Sequence, residues 1–116
     1  MSTGLVTCRS VPNWVHFGTV TLLRSSEFTN WLSSLRDQRG KARIAARLIS
    51  AQLGNFGEYR VIGEGVREMK VDFGPGYRIY YVRRAEIVYV LLCGGDKSTQ
   101  KKDIKRALQM ARELKE

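Results

Sequence analysis

The run Val66–Ser98, VREMKVDFGPGYRIYYVRRAEIVYVLLCGGDKS, restricts what this chain can fold into more than any other stretch. It reads as three successive β-strands, because β-branched and aromatic residues fill the runs and Gly/Pro punctuation bounds them. Gly74–Pro75–Gly76 makes the first turn and Arg84–Glu86 the second. Alternation puts Met69, Val71 and Phe73 on one face of the first strand and Glu68, Lys70 and Asp72 on the other. The middle strand sets Tyr77, Ile79 and Tyr81 against Arg78, Tyr80 and Val82. Ile87–Cys93 is apolar except at Tyr89, the pattern of a central strand covered on both sides. Lys70, Arg78 and Tyr80 are thereby expected to share the less buried face of one sheet.

At 116 residues the chain has the length of one domain, able to bury roughly two-thirds of its unfolded surface. Charge is the unusual property. Twenty Lys+Arg against eleven Asp+Glu give +9, which favours encounter with polyanions. Nucleic acid is the first partner to consider, an acidic protein the second and an anionic membrane the third; a basic but unspecialised surface is the bland alternative. Cys8 and Cys93 are too few for a disulfide framework or a four-ligand zinc site. No run approaches the roughly 18 apolar residues of a membrane span, and the start of the chain lacks the pattern of a secretory signal. A cytoplasmic location is expected.

Residues 1–18 show no sustained period and read as an extension of uncertain status, with residues 19–116 as the single folded domain. Val20–Arg24 could form a first strand. Ser25 or Ser26 then offers an N-cap, and Phe28, Trp31, Leu32 and Leu35 follow at helical spacing. A first helix is expected to end near Asp37–Gly40. A second should run from about Lys41 to Leu53, with Ala45, Leu48, Ile49 and Gln52 on one side. Arg39, Arg43 and Arg47 recur every four residues on another side, as a solvated face or as a ridge that follows a phosphate backbone. Tyr59–Ile62 is a further strand. After the three strands, Ser98 or Thr99 is expected to cap a last helix with Ile104, Ala107, Leu108, Ala111 and Leu114 inward. The fold class is α+β: a strand, two helices as an αα-hairpin, a three- or four-stranded antiparallel meander and a C-terminal helix.

His16 is the single histidine, so histidine-based metal sites and Ser–His or Cys–His nucleophiles find little support. The glycine pairs match neither dinucleotide nor P-loop spacing. The remaining inventory is cationic and aromatic: Lys70, Arg78, Tyr80, Tyr81, Arg83, Arg84 and Lys97, with Asp96 beside the last. Metal-free RNA cleavage by the 2′-hydroxyl needs cations on the phosphorane, a proton acceptor and donor, and aromatics to stack bases. Simple RNA or protein binding would use the same set.

Three segments, EFTNWLSSLRD, AQLGNFGEYRVIGEGVREMKVDFGPGYRIYYVRR and VYVLLCGGDKSTQKKDIKRALQMARE, resemble the RelE/ParE toxin superfamily. More narrowly they are similar to its HigB-like "addiction module killer protein" branch, over about Val20 to Glu116. The resemblance implies a small RelE-like fold and the toxin of a type II toxin–antitoxin pair. It implies a cognate antitoxin with a helix-turn-helix domain, a hetero-oligomer with it that binds operator DNA, and no cofactor. Members of the RelE and HigB type cut mRNA in the ribosomal A site without a metal. Carried over by position, Arg78 would stabilise the transition state, Lys70 would contact phosphate and Lys97 would contact the leaving group or substrate. Asp96 would act as base or brace Lys97.

Two departures bear on these roles. Where RelE-type members place a tyrosine beyond the last cation, this chain has Gln100 to Asp103, and it lacks the histidine some HigB members carry near their end. The base would then be Asp96, Tyr80 or Tyr81, or catalysis would rest on positioning and charge. Arg39, Arg43, Arg47, Tyr81, Arg83 and Arg84 are the candidate RNA contacts. The alternatives are a ParE-like toxin that inhibits DNA gyrase by binding, and a degraded toxin kept as an antitoxin- or operator-binding partner.

Overall fold

Residues 19–115 are described by the computed structural model; the extension read at residues 1–18 lies outside the described residues. Strand β1 (Thr21–Arg24) leads into helices α1 (Ser26–Ser34) and α2 (Gln38–Gln52). Strands β2 (Tyr59–Gly63), β3 (Val66–Val71), β4 (Tyr77–Ala85) and β5 (Val88–Gly95) follow, then a 3₁₀ turn (Lys97–Thr99) and helix α3 (Gln100–Lys115). The four later strands form an antiparallel meander, and β1 joins it parallel to β5, giving the order β1-β5-β4-β3-β2. The architecture is the expected α+β one, with the four-strand version of the meander.

Period-two patterning assigns the two faces as the sequence implies. Met69, Val71, Tyr77, Ile79, Tyr81 and Leu91 point to one side, where Phe28 of α1 and Ile44, Leu48 and Ala51 of α2 close over them. Val66, Tyr80, Val90 and Leu92 point to the other, under Ala107 and Ala111 of α3. Cys93 joins the second group because the β4–β5 register slips between Tyr80 and Tyr81. Leu92 is the extra residue of a bulge, and such a bulge turns two successive side chains to one side.

Several local expectations are corrected. Helix α1 ends at Ser34, and α2 starts at Gln38 rather than Lys41, because the Asp37 carboxylate accepts the Gly40 N–H at 3.0 Å and caps it. The buried face of α2 is Gly40, Ile44, Leu48 and Ala51; Ala45, Ile49 and Gln52 are exposed. Apolar residues occur around much of this helix, so periodicity alone could not choose the side that packs. Asp96 caps the 3₁₀ turn that precedes α3, through a capping box with Thr99. Ser25 does cap α1, accepting from Phe28 N at 2.9 Å, and its hydroxyl also donates to Leu92 O at 2.6 Å. The cap thus ties α1 to β5.

Candidate functional site

Helix α3 roofs β4, β5 and the Val66 end of β3, and the sheet face beside it stays open around Lys70. There an open cleft of about 640 Å³ is lined by Gly57, Glu58, Tyr59, Arg60, Glu68, Lys70, Arg78 and Gln100. The β3–β4 register sets Lys70 directly across from Arg78 and Glu68 across from Tyr80. The β2–β3 register sets Arg60 across from Glu68. Directly opposed residues on one sheet face stand within side-chain reach.

Arg78 forms part of the cleft lining although it is only 7% exposed. Its Nη1 donates to the carbonyl of Gly76 at 2.7 Å, while its buried Nε finds no hydrogen-bond partner among the described residues. The Glu68 carboxylate lies 3.9 Å from that Nε, close enough for charge attraction but too far for a hydrogen bond. A buried, unsatisfied guanidinium N–H is costly unless something enters to accept it.

Glu68 is buried and accepts four hydrogen bonds: from the Tyr80 hydroxyl at 2.9 Å, Gln100 Nε2 at 2.9 Å, and Arg60 Nε and Nη2 at 3.2 and 3.5 Å. Burial by itself would raise its carboxyl, but the bonds from Gln100 and Tyr80 and the Arg60 charge outweigh this and hold it below the usual glutamate range. Tyr80 is shifted the opposite way. Burial, and then its bond to Glu68, push its phenol far above the ordinary value. It is a firmly protonated donor.

Lys97 follows β5 and reaches the same neighbourhood through the Gly74–Pro75–Gly76 turn. Its backbone N–H donates to Pro75 O at 3.3 Å, and its Cβ would lie 3.8 Å from a Cβ placed on Gly76. Gly76 has φ +78°, and an added Cβ would stand 3.1 Å from Arg78 Nη1, so a glycine is what this crowded turn requires. Asp96 accepts from Ser98 N at 2.8 Å and from the Ser98 hydroxyl at 2.5 Å, which fixes the turn that carries Lys97.

Of the sequence candidates, Arg78, Lys70 and Tyr80 thus stand together, with Lys97 and Asp96 alongside. Tyr80 is fully buried rather than on an accessible surface. The others are elsewhere. Tyr81 is fully buried on the opposite face, stacked on Phe56 at 5.1 Å. Arg83 and Arg84 lie at the far end of β4, where Arg84 Nη1 donates to Leu114 O at 3.0 Å. Arg47 is a strap: its guanidinium donates to the carbonyls of Lys70 and Phe56. Arg43 lies over the Phe73 ring at 4.8 Å, and Arg39 is exposed. Glu68, Arg60 and Gln100 were not singled out from sequence. Alternation had already put Glu68 on the face of Lys70, but Gln100 reaches it only through the packing of α3.

Residues 30–116 match the family model described as "Phage derived protein Gp49-like (DUF891)". The chain is also 45% identical over 96 residues to an uncharacterized protein of Haemophilus influenzae, covering 83% of this chain and 97% of that protein. The chain belongs to the Gp49-like family, a family of RelE-like type II toxin–antitoxin toxins. Membership implies an antitoxin partner. Among the described residues, no helix is long and apolar enough to cross a membrane.

Proposed function

We propose that this chain is a HigB-like toxin that cleaves ribosome-bound mRNA in the cytoplasm without a metal, residues 19–116 forming its toxin domain. The observation that carries the reading is Arg78: a rigid, buried guanidinium on an open basic cleft, with one N–H unpaired among the described residues. Such a donor is suited to a charge that appears only in the transition state, because no reorganisation is needed when it forms.

The 2′-oxygen attacks the adjacent phosphorus, the P–O5′ bond breaks, and the products are a 2′,3′-cyclic phosphate and a 5′-hydroxyl. The 2′-hydroxyl proton passes to an acceptor and O5′ gains one. Arg78 holds the phosphorane oxygens. Lys70, exposed directly across the strand pair, contacts the phosphate, and Lys97 faces the leaving group. Tyr80 keeps its proton and works through Glu68. Asp96 braces Lys97. Lys101, Lys102 and Lys105 line a second open cleft of about 700 Å³ and extend the positive surface along α3 for RNA to follow. A helix-turn-helix antitoxin neutralises the toxin, and the pair binds operator DNA.

A gyrase-binding toxin without catalysis is the second reading. It is favoured by the state of the three proton acceptors named from sequence: Asp96 is engaged in a cap, Tyr80 acts as a donor, and Tyr81 is fully buried on the opposite face. Brief induction in bacterial cells with mRNA 5′-end mapping separates the two. New ends within translated frames are expected from the intact chain. The Arg78→Ala chain should lose them by about 100-fold or more, the usual effect of removing one such donor. Growth arrest without new ends would put the binder first.

A further inference from the structure

The arginines of α2 were left without a role in the cleft, and they border a feature that the core does not use. The outward side of α2 carries Ala42, Ala45, Ala46, Ile49 and Leu53, all exposed. Ile49 is 60% exposed and Leu53 64%, two of the most exposed large apolar side chains among the described residues. At 100° per residue these positions form one ridge opposite the buried Ile44–Leu48–Ala51 face, about 16 Å long at 1.5 Å per residue. Alanines at its N-terminal half would let a second helix approach closely, and Ile49 and Leu53 would anchor its other end. Arg39 and Arg43 run along one flank and Lys41 lies towards the other. The face is apolar down its centre and cationic at its borders.

We propose that this outer face of α2 is a docking site for an amphipathic helix of the antitoxin, about three turns long, with an apolar stripe flanked by Asp or Glu. The family supplies the existence of a protein partner. The charge of the rim supplies its chemistry, since acidic flanks would meet Arg39 and Arg43. The occupant binds on the helical layer, away from the α3 side of the sheet where the cleft opens. Neutralisation therefore has an anchor separate from whatever blocks the cleft. The inference rests on the family's toxin–antitoxin character and not on the nuclease chemistry.

The test is binding of the purified cognate antitoxin to the full-length chain by calorimetry, with Ile49→Glu and Ala46→Glu variants. Each is expected to weaken binding by about 100-fold, as loss of a central apolar anchor does, while toxicity on induction is retained and the melting temperature of the free chain is unchanged. Arg39→Glu should weaken binding and reduce its salt dependence. Unchanged affinity in both ridge variants would overturn the proposal. So would a fall of several degrees in the melting temperature of free Ile49→Glu, which would show the ridge covered by the chain itself. A free chain that sediments as a dimer, dissolved by Ile49→Glu, would make a second copy the occupant and overturn it too. The Arg78→Ala mapping addresses the nuclease reading by a different measurement.

Discussion

Glu68→Gln tests the electrostatic centre of the cleft. The substitution keeps the shape and removes the charge. In the native chain the carboxylate, 6% exposed, takes hydrogen bonds from Tyr80 and Gln100 at 2.9 Å each and stands 3.9 Å from the buried Arg78 Nε. A bond to a charged acceptor contributes about 1 kcal/mol more than one to a neutral acceptor, so two such bonds account for about 2 kcal/mol. Leaving the nearly buried Arg78 without a counter-charge adds about 1 kcal/mol when water in the open cleft screens the pair to an effective dielectric near 80. The Arg60 bond is counted as nothing, because that side chain is 59% exposed and solvent screens it. The sum is about 3 kcal/mol, or roughly 10 °C in the melting temperature of a domain this size.

The pH dependence gives the sharper discrimination. Glu68 titrates below its unfolded value, so the unfolded chain binds more protons between the two pKa values. Its contribution is complete above the unfolded value near 4.3 and is lost as pH falls through the folded one. The native and Glu68→Gln chains should differ fully at neutral pH and converge on acidification below about pH 4. Asp103 is shifted upward by burial, so its own effect on stability has the opposite sign. It is present in both chains and cancels in the difference. Thermal melts of both proteins between pH 3 and 7 would settle the matter, and a gap that is absent at pH 7, or constant across the range, refutes the reasoning.

Two further outcomes follow from the packing around β5. Gly95→Ala would drive a Cβ into the Asp103 carboxylate and to 2.8 Å from Thr99 Oγ1, so a loss of about 1–3 kcal/mol is expected in chemical denaturation; full stability would mean that the start of α3 shifts freely. Cys93 is 4% exposed and burial pushes its thiol up to about 12, so alkylation at pH 8 should leave Cys93 unmodified in peptide mapping until the chain is unfolded. Rapid labelling of Cys93 in the native chain would contradict its burial.

Alternation in β3 and β4 was enough to place Met69, Val71, Tyr77, Ile79 and Tyr81 on one face and to put Lys70 and Arg78 on the other. Those assignments follow from the two-residue repeat of an extended chain, which is local. The cap at Ser25 was legible for the same reason. The inward side of α2 was not. Its sequence offers apolar residues at Ile44, Leu48 and Ala51 and again at Ala45, Ile49 and Leu53, and only the sheet beneath it selects the first set. Tyr80 likewise alternates correctly, yet its burial comes from α3, which periodicity cannot see. The arginines at 39, 43 and 47 look equivalent as a row, but Arg47 is spent on two distant carbonyls, Arg43 lies over Phe73, and Arg39 remains exposed.

By itself, then, the sequence determined the elements, the sheet faces, the meander and the pairing of cations across it, because near neighbours and simple periods encode all of these. Tertiary structure decided that β1 adds in parallel beside β5, that Leu92 bulges, and that α3 covers only part of the sheet. It also brought Gln100 to Glu68, 32 positions apart. That contact, with Tyr80 and Arg60, makes Glu68 the acceptor around which the cleft is charged. Contacts of that separation depend on which surfaces meet when the layers close, and no local pattern of residues specifies them.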